Sequence, residues 1–200
     1  GQAGGGRGAP AKTPTRMARA AVAATVLGCG PAVRAQNLLN PSFEEAATNQ
    51  LNPWGDLAAH WGRWGDWINR ESAWMPTHSG SGLIGYHHWQ IKEGDSSGIY
   101  QDIPKAPANV THVFSVYAYK DTGTDLEYVE IRIEKLDGKD VIASKVYWKT
   151  ELETGTWQLL MVCGMNSDPG LRVLIIVKPK QSGLRQGCIK FDDASLAVEP

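Results

Sequence analysis

The strongest constraint on this chain lies between Leu126 and Trp148. Val129, Ile131 and Ile133 alternate with Tyr128, Glu130, Arg132 and Glu134. Successive side chains of a strand point to opposite faces, so over 126–136 one face is apolar and the other polar and charged. Asp137-Gly138 supplies a dipeptide that favours a tight hairpin, and Val141–Trp148 returns from it. The pattern predicts an antiparallel pair with one buried face. Residues 111–119 repeat it, with Phe114, Val116 and Ala118 opposite Val113, Ser115, Tyr117 and Tyr119.

The rest of the chain reads the same way. Segments 83–90, 98–103, 156–163, 171–177 and Cys188–Val198 are short runs rich in Val, Ile, Leu and Tyr, separated by Gly, Pro, Asn and Ser. Both parities are apolar over 156–163 and 171–177, which predicts central strands. A short strand and turn are expected over 37–45, from Leu38, Leu39 and Phe43 around Asn40-Pro41. No internal repeat and no long amphipathic helix stand out. A chain of 200 residues with 42% hydrophobic and 20% charged content suits one domain with a full core. About nine or ten short strands predict an all-β fold, a jelly-roll β-sandwich of two antiparallel sheets.

Residues 1–35 are set apart as a leader and 36–200 as the folded domain. Residues 1–16 are Gly, Ala, Pro, Thr and basic residues, with almost nothing to bury. Met17 then opens an export pattern: Arg19, an apolar run over 20–27, and Val33-Arg34-Ala35 as a signal-peptidase site. On this reading Met17 is the start and Gln36 the mature N-terminus. A rival reading takes Val26-Leu27-Gly28-Cys29 as a lipoprotein box, with Cys29 acylated. Both place the protein outside the cell or at its surface after bacterial export. No apolar run approaches the ~20 residues of a membrane span, so no transmembrane segment is expected. Beyond residue 35 stand 15 basic and 21 acidic residues. That balance argues against nucleic acid or an anionic membrane as partner. In an oxidising compartment Cys163 and Cys188 are expected to form a disulfide, with two buried free thiols as the alternative.

Six of the eight tryptophans fall between residues 54 and 89: Trp54, Trp61, Trp64, Trp67, Trp74 and Trp89. They are interleaved with Gly, Asp, Ser and His. The stretch reads either as a loop-rich platform that stacks on a flat, polar ligand or as rings capping a core. No nucleophile elbow, HExxH, phosphate loop or CxxC is present. A glycosidase pair such as Asp66 and Glu71 can be drawn, but nothing in the spacing sets the separation its chemistry requires. His87 and His88 alternate across a strand and cannot chelate one ion together.

The ends of the domain resemble a known family. Asn37-Leu38-Leu39-Asn40-Pro41-Ser42-Phe43-Glu44 is similar to the opening strand of carbohydrate-binding modules of the family 4, 9 and 22 type, which are galactose-binding-like β-sandwiches. His78-Ser79-Gly80-Ser81-Gly82-Leu83 resembles their His-Ser-Gly segment. Gly98-Ile99-Tyr100-Gln101-Asp102-Ile103 resembles their Tyr-Gln strand, and Val113 to Tyr119 their aromatic-rich one. Ile189-Lys190-Phe191-Asp192-Asp193-Ala194-Ser195-Leu196 looks like their closing Phe-x-Asp-Asp strand. The dense tryptophan insertion at 61–74 and His87-His88 depart from the pattern.

The resemblance implies a structural Ca²⁺ joining the first and last strands, near Glu44, Asp192 and Asp193 and the carbonyls of Ser79 and Gly80. Hard oxygens of this kind suit Ca²⁺. Asp193 shares parity with Ile189 and Phe191 and is the favoured ligand of the Asp pair. The resemblance also places Trp61 in the core; Trp157, within an apolar strand, is expected there too. It implies a ligand cleft across a concave sheet, assigned here to Tyr117, Tyr119, Tyr128, Glu130 and Arg132 with Trp148 and Trp89. Trp64, Trp67 and Trp74, with Asp66, Asn69 and Arg70, would form one wall. The expected function is an exported, non-catalytic module that binds polysaccharide of the β-glucan or xylan type by aromatic stacking. The runner-up is a structural or adhesive module of a surface or extracellular assembly, with self-assembly left open. A third reading is a small glycan hydrolase or lyase.

Overall fold

The computed structural model describes residues 34–35, 38–47, 57–65, 67–72, 76–87, 96–180 and 187–199. In chain order its strands are β1 (Arg34–Ala35), β2 (Gly62–Trp64), β3 (Ile68–Ser72), β4 (Gly82–His87), β5 (Ser97–Ile103), β6 (Val110–Lys120), β7 (Leu126–Glu134), β8 (Val141–Trp148), β9 (Trp157–Asn166), β10 (Leu171–Pro179) and β11 (Cys188–Val198). A single 3₁₀ turn, Lys149–Glu151, follows β8.

Two antiparallel sheets form a jelly-roll β-sandwich, as the alternation predicts. One runs β3-β4-β11-β6-β9, with β1 against the far end of β11; the other runs β2-β5-β10-β7-β8. The predicted inward parities fill the space between them. Phe114, Val116 and Ala118 from β6 meet Val129, Ile131 and Ile133 from β7, with Val173, Ile175 and Val177 from β10, all with no solvent exposure. Burial on this scale is the main source of stability, at roughly 25 cal/mol per Å² of apolar surface. Trp61 is buried, as expected, with its ring 5.2 Å from that of Phe43.

Several expectations need correction. Residues 38–45 form turns, not a strand. Asn40 holds them, donating from Nδ2 to the Glu45 and Ala59 carbonyls and accepting at Oδ1 from the Glu45 N–H. The tryptophan stretch is not all loop, because β2 and β3 lie within it and enter different sheets. Strand β9 is an edge strand, not a central one. Its second apolar parity faces outward, and Leu159 is 43% exposed.

The Cys163–Cys188 bridge does not form. Cys188 is free and buried. The ladder explains the failure. Cys163 stands opposite Val113, which stands opposite Ala197, whereas Cys188 begins the same strand β11 near Lys120. The two thiols therefore sit at opposite ends of one sheet, on the order of 30 Å apart at ~3.3 Å per residue. A disulfide needs Cα atoms within about 7 Å.

Candidate functional site

The outward face of the five-stranded sheet collects the candidate binding side chains. Cross-strand register builds it in rows. Trp64 stands opposite Gly98, which stands opposite Ile176, then Glu130. In the next row Gly62, Tyr100, Leu174, Arg132 and Ser144 follow one another. Lys178, Tyr128 and Trp148 make a third row, and Asp102, Arg172 and Glu134 a fourth.

Two glycines shape one end of the face. A Cβ built on Gly98 would overlap the Trp64 ring, and one built on Gly62 would overlap Tyr100. Each ring thus lies flat over a bare backbone on the neighbouring strand. The two rings are 6.3 Å apart and inclined at 37°. At the other end Tyr128 and Trp148 meet edge to face at 5.4 Å and 76°, and Trp148 is 49% exposed. Between these aromatic ends the floor is deep: Leu174 and Ile176 are nearly buried although they point out of the sandwich.

Polar groups on the floor are held in fixed geometry. Arg132 donates from Nε to Glu130 Oε1 at 2.7 Å and from Nη1 to Glu134 Oε1 at 2.8 Å. Ser144 Oγ donates to the same Glu130 oxygen. The hydrogen bond to Glu130 leads in raising the Arg132 pKa above its ordinary value, against desolvation, so the guanidinium stays charged. Burial, with the Glu130 charge beside it, raises the Tyr128 hydroxyl. Arg172 forks onto Asp102 at 2.7 and 3.0 Å, with its guanidinium 4.3 Å from the Tyr100 ring centroid. The face therefore offers flat rings for C–H surfaces and oriented donors and acceptors for hydroxyls.

The expected site residues divide differently. Tyr128, Glu130, Arg132, Trp148 and Trp64 share this face. Tyr117 and Tyr119 do not: they lie on β6 of the other sheet and point the opposite way. Alternation reveals which residues share a face of one strand, but not which sheet the strand joins. The proposed wall of Trp64, Trp67, Asn69 and Arg70 also separates, because the chain crosses between sheets after β2. Trp67, at φ 61°, packs against the core. Asn69 is buried, and Arg70 turns to the Phe43 and Glu44 carbonyls. Trp157 is half-buried outside the core rather than within it. Trp74, Trp89 and Asp66 lie outside the described residues. Tyr100, Asp102, Ser144 and Arg172 were not anticipated. The shared parity of Tyr100 and Asp102 next to Gly98 was the available signal.

The expected metal residues do converge, around the turn 78–82. Glu44 accepts from the Ser81 and Gly82 N–H groups and the Ser81 hydroxyl. Asp192 Oδ2 accepts from the His78 and Ser79 N–H groups, and Asp193 from His78 Nδ1 and Ser79 Oγ. The Gly80 carbonyl accepts from Thr77 Oγ1. Asp192, not Asp193, is the fully buried member of the pair. A bulge between Asp192 and Ser195, with Asp193 at φ 47°, breaks the parity on which the expectation rested. Burial pushes the Asp192 carboxyl up to about 6, with the Asp193 charge adding to it. Hydrogen bonds from Gly82 and Ser81 outweigh desolvation and hold Glu44 low. These carboxylates are oxygen donors of the hard kind, but among the described residues no three His, Cys, Asp or Glu side chains are grouped so as to hold a metal ion, and each carboxylate already accepts hydrogen bonds from the protein.

No family model matches the chain, and no curated protein matches it. Solved structures do. A family 61 carbohydrate-binding module in complex with β-1,4-galactotriose aligns with a TM-score of 0.55 at 18% identity, covering 81% of this chain and 97% of that one. A family 4 carbohydrate-binding module gives 0.51 at 16% identity, over 82% and 100%. The chain has the β-sandwich fold of carbohydrate-binding modules. The same fold also carries catalysis: a cyclase from Fischerella sp. TAU aligns at 0.61 with 14% identity, over 85% and 98%. Among the described residues no helix is long and apolar enough to cross a membrane.

Proposed function

We propose that this chain is an exported, non-catalytic module that binds polysaccharide across the outward face of its five-stranded sheet. The observation that carries the reading is the pairing of two aromatic ends, Trp64 with Tyr100 and Tyr128 with Trp148, across a floor where Arg132 is bracketed by Glu130 and Glu134. Sugar rings stack on the first, and their hydroxyls meet the second. Glu130, Glu134 and Asp102 on this face are matched by Arg132, Arg172 and Lys178, and that balance favours a neutral chain of the β-glucan or xylan type over an acidic one.

Affinity electrophoresis tests this on soluble mixed-linkage β-glucan, arabinoxylan and β-1,4-galactan, the last because the family 61 relative holds a β-1,4-galactotriose. Retardation by a neutral glycan, reduced in Tyr100→Ala and in Trp148→Ala, is expected. No retardation on any glycan, together with concentration-dependent self-association, moves the assignment to a structural or adhesive module. Release of reducing ends from a retarding glycan would make the protein a glycan-active enzyme.

We also propose that Glu44 and Asp192, with the Ser79 and Gly80 carbonyls, hold a structural Ca²⁺. The support is the buried Asp192 carboxyl with the Asp193 charge beside it, on the same turn that Glu44 reaches. A bound divalent cation would offset that cost.

A further inference from the structure

The outward face of the other sheet carries aromatic rings that the cleft does not use. On β6, Tyr119 stands between Trp157 of β9 and Lys190 of β11, and Tyr117 stands between Leu159 and Asp192. These residues point outward because Val116 and Ala118, on the opposite parity, fill the core. The His78 ring stacks on Tyr117 at 3.8 Å and 16°, and meets Trp157 edge-on at 5.5 Å. Trp157 in turn lies 5.4 Å from Tyr119. Four rings thus form one continuous surface, all of them partly open to solvent.

Polar groups stand beside the rings. Lys190 Nζ bonds Asp121 Oδ1 at 2.7 Å and lies 4.8 Å from the Tyr119 ring centroid. His78 Nδ1 is 2.6 Å from Asp193 Oδ2. Lys190 is nearly buried on this outward face, its charge met by Asp121 and by the Tyr119 ring. Half-exposed rings beside a fixed cation, a carboxylate and an imidazole repeat the chemistry of the cleft.

We propose that Tyr117, Tyr119, Trp157, His78 and Lys190 form a second glycan-binding surface, so that one module bridges two polysaccharide chains on opposite faces. The two outward faces of a sandwich point away from each other across sheets about 10 Å apart, so one chain cannot lie straight across both. The inference rests on the glycan reading of the first face.

Light scattering of soluble mixed-linkage β-glucan, arabinoxylan or β-1,4-galactan, whichever retards the wild type, tests it alongside electrophoresis. Wild-type protein is expected to cross-link the polysaccharide and raise scattering with added module. Trp157→Ala should lose that rise, and so should Trp148→Ala, while each keeps part of the retardation. The double variant should lose both. Tyr119→Ala serves as a second variant if Trp157→Ala does not fold by circular dichroism. Scattering unchanged by both Trp157→Ala and Tyr119→Ala overturns the second surface and leaves the first. Complete loss of retardation in Trp148→Ala alone does the same. A wild type that is retarded by none of the three glycans overturns both.

Discussion

At the scale of the residue, the cleft depends on a few rings whose positions are set by their neighbours. Trp148 is the most exposed of the described tryptophans in the cleft, and its partner Tyr128 meets it edge to face. Truncating such a ring removes stacking area but little core. Trp148→Ala should therefore weaken glycan binding about tenfold, or ~1.4 kcal/mol, with little change in urea midpoint. A large midpoint shift would instead make Trp148 a structural residue. Asp192 makes a different prediction. Its folded-state carboxyl lies near 6, above the unfolded value of about 4. Between these values the native state holds the extra proton. The contribution of Asp192 to stability is therefore present at low pH and falls as pH rises through that window. In EDTA, the urea stability of Asp192→Asn relative to wild type should increase from pH 4 to 6.5. A difference that stays flat with pH would show that burial does not perturb this carboxyl.

At the scale of the element, the face depends on where two short strands end up. Strand β2 joins one sheet and β3 the other, so Trp64 and Arg70 part company within seven positions of sequence. Glycine then decides how the rings lie. Gly98→Ala places a methyl group where the Trp64 ring sits. The methyl also meets the Ile175 carbonyl oxygen at 2.7 Å, so the ring must swing away and the β5-β10 pair must shift, at a cost of about 1–3 kcal/mol. Glycan retardation should fall as it does in Trp64→Ala. A Gly98→Ala protein that keeps full retardation would remove Trp64 from the cleft. The alternation on β7 was legible residue by residue, including Tyr128, Glu130 and Arg132 on one face. The bulge at Asp193 was not, because a single extra residue shifts every later parity and leaves no mark in composition.

At the scale of the whole molecule, the turn 78–82 ties the first turns to the last strand through Glu44, Asp192 and Asp193. If Ca²⁺ completes that junction, EDTA should lower Tm and added Ca²⁺ restore it. An unchanged Tm would mean that the N–H donors and Arg70 suffice without metal. The thiols give a further check: alkylation of denatured, unreduced protein followed by peptide mapping should label Cys188. Protection of Cys188 from alkylation would overturn its free state. The sequence by itself determined the class of fold, because period-2 alternation with one apolar parity admits few structures other than paired sheets. It also determined the polar–aromatic character of the exposed parity on β7. Only the tertiary structure decided that Tyr117 and Tyr119 oppose Tyr128 and Arg132 instead of joining them, and that Cys163 and Cys188 lie at opposite ends of a sheet. Alternation is a local property of one strand. The sheet to which a strand hydrogen-bonds depends on partners tens of residues away, and that choice sets which way its outward face looks.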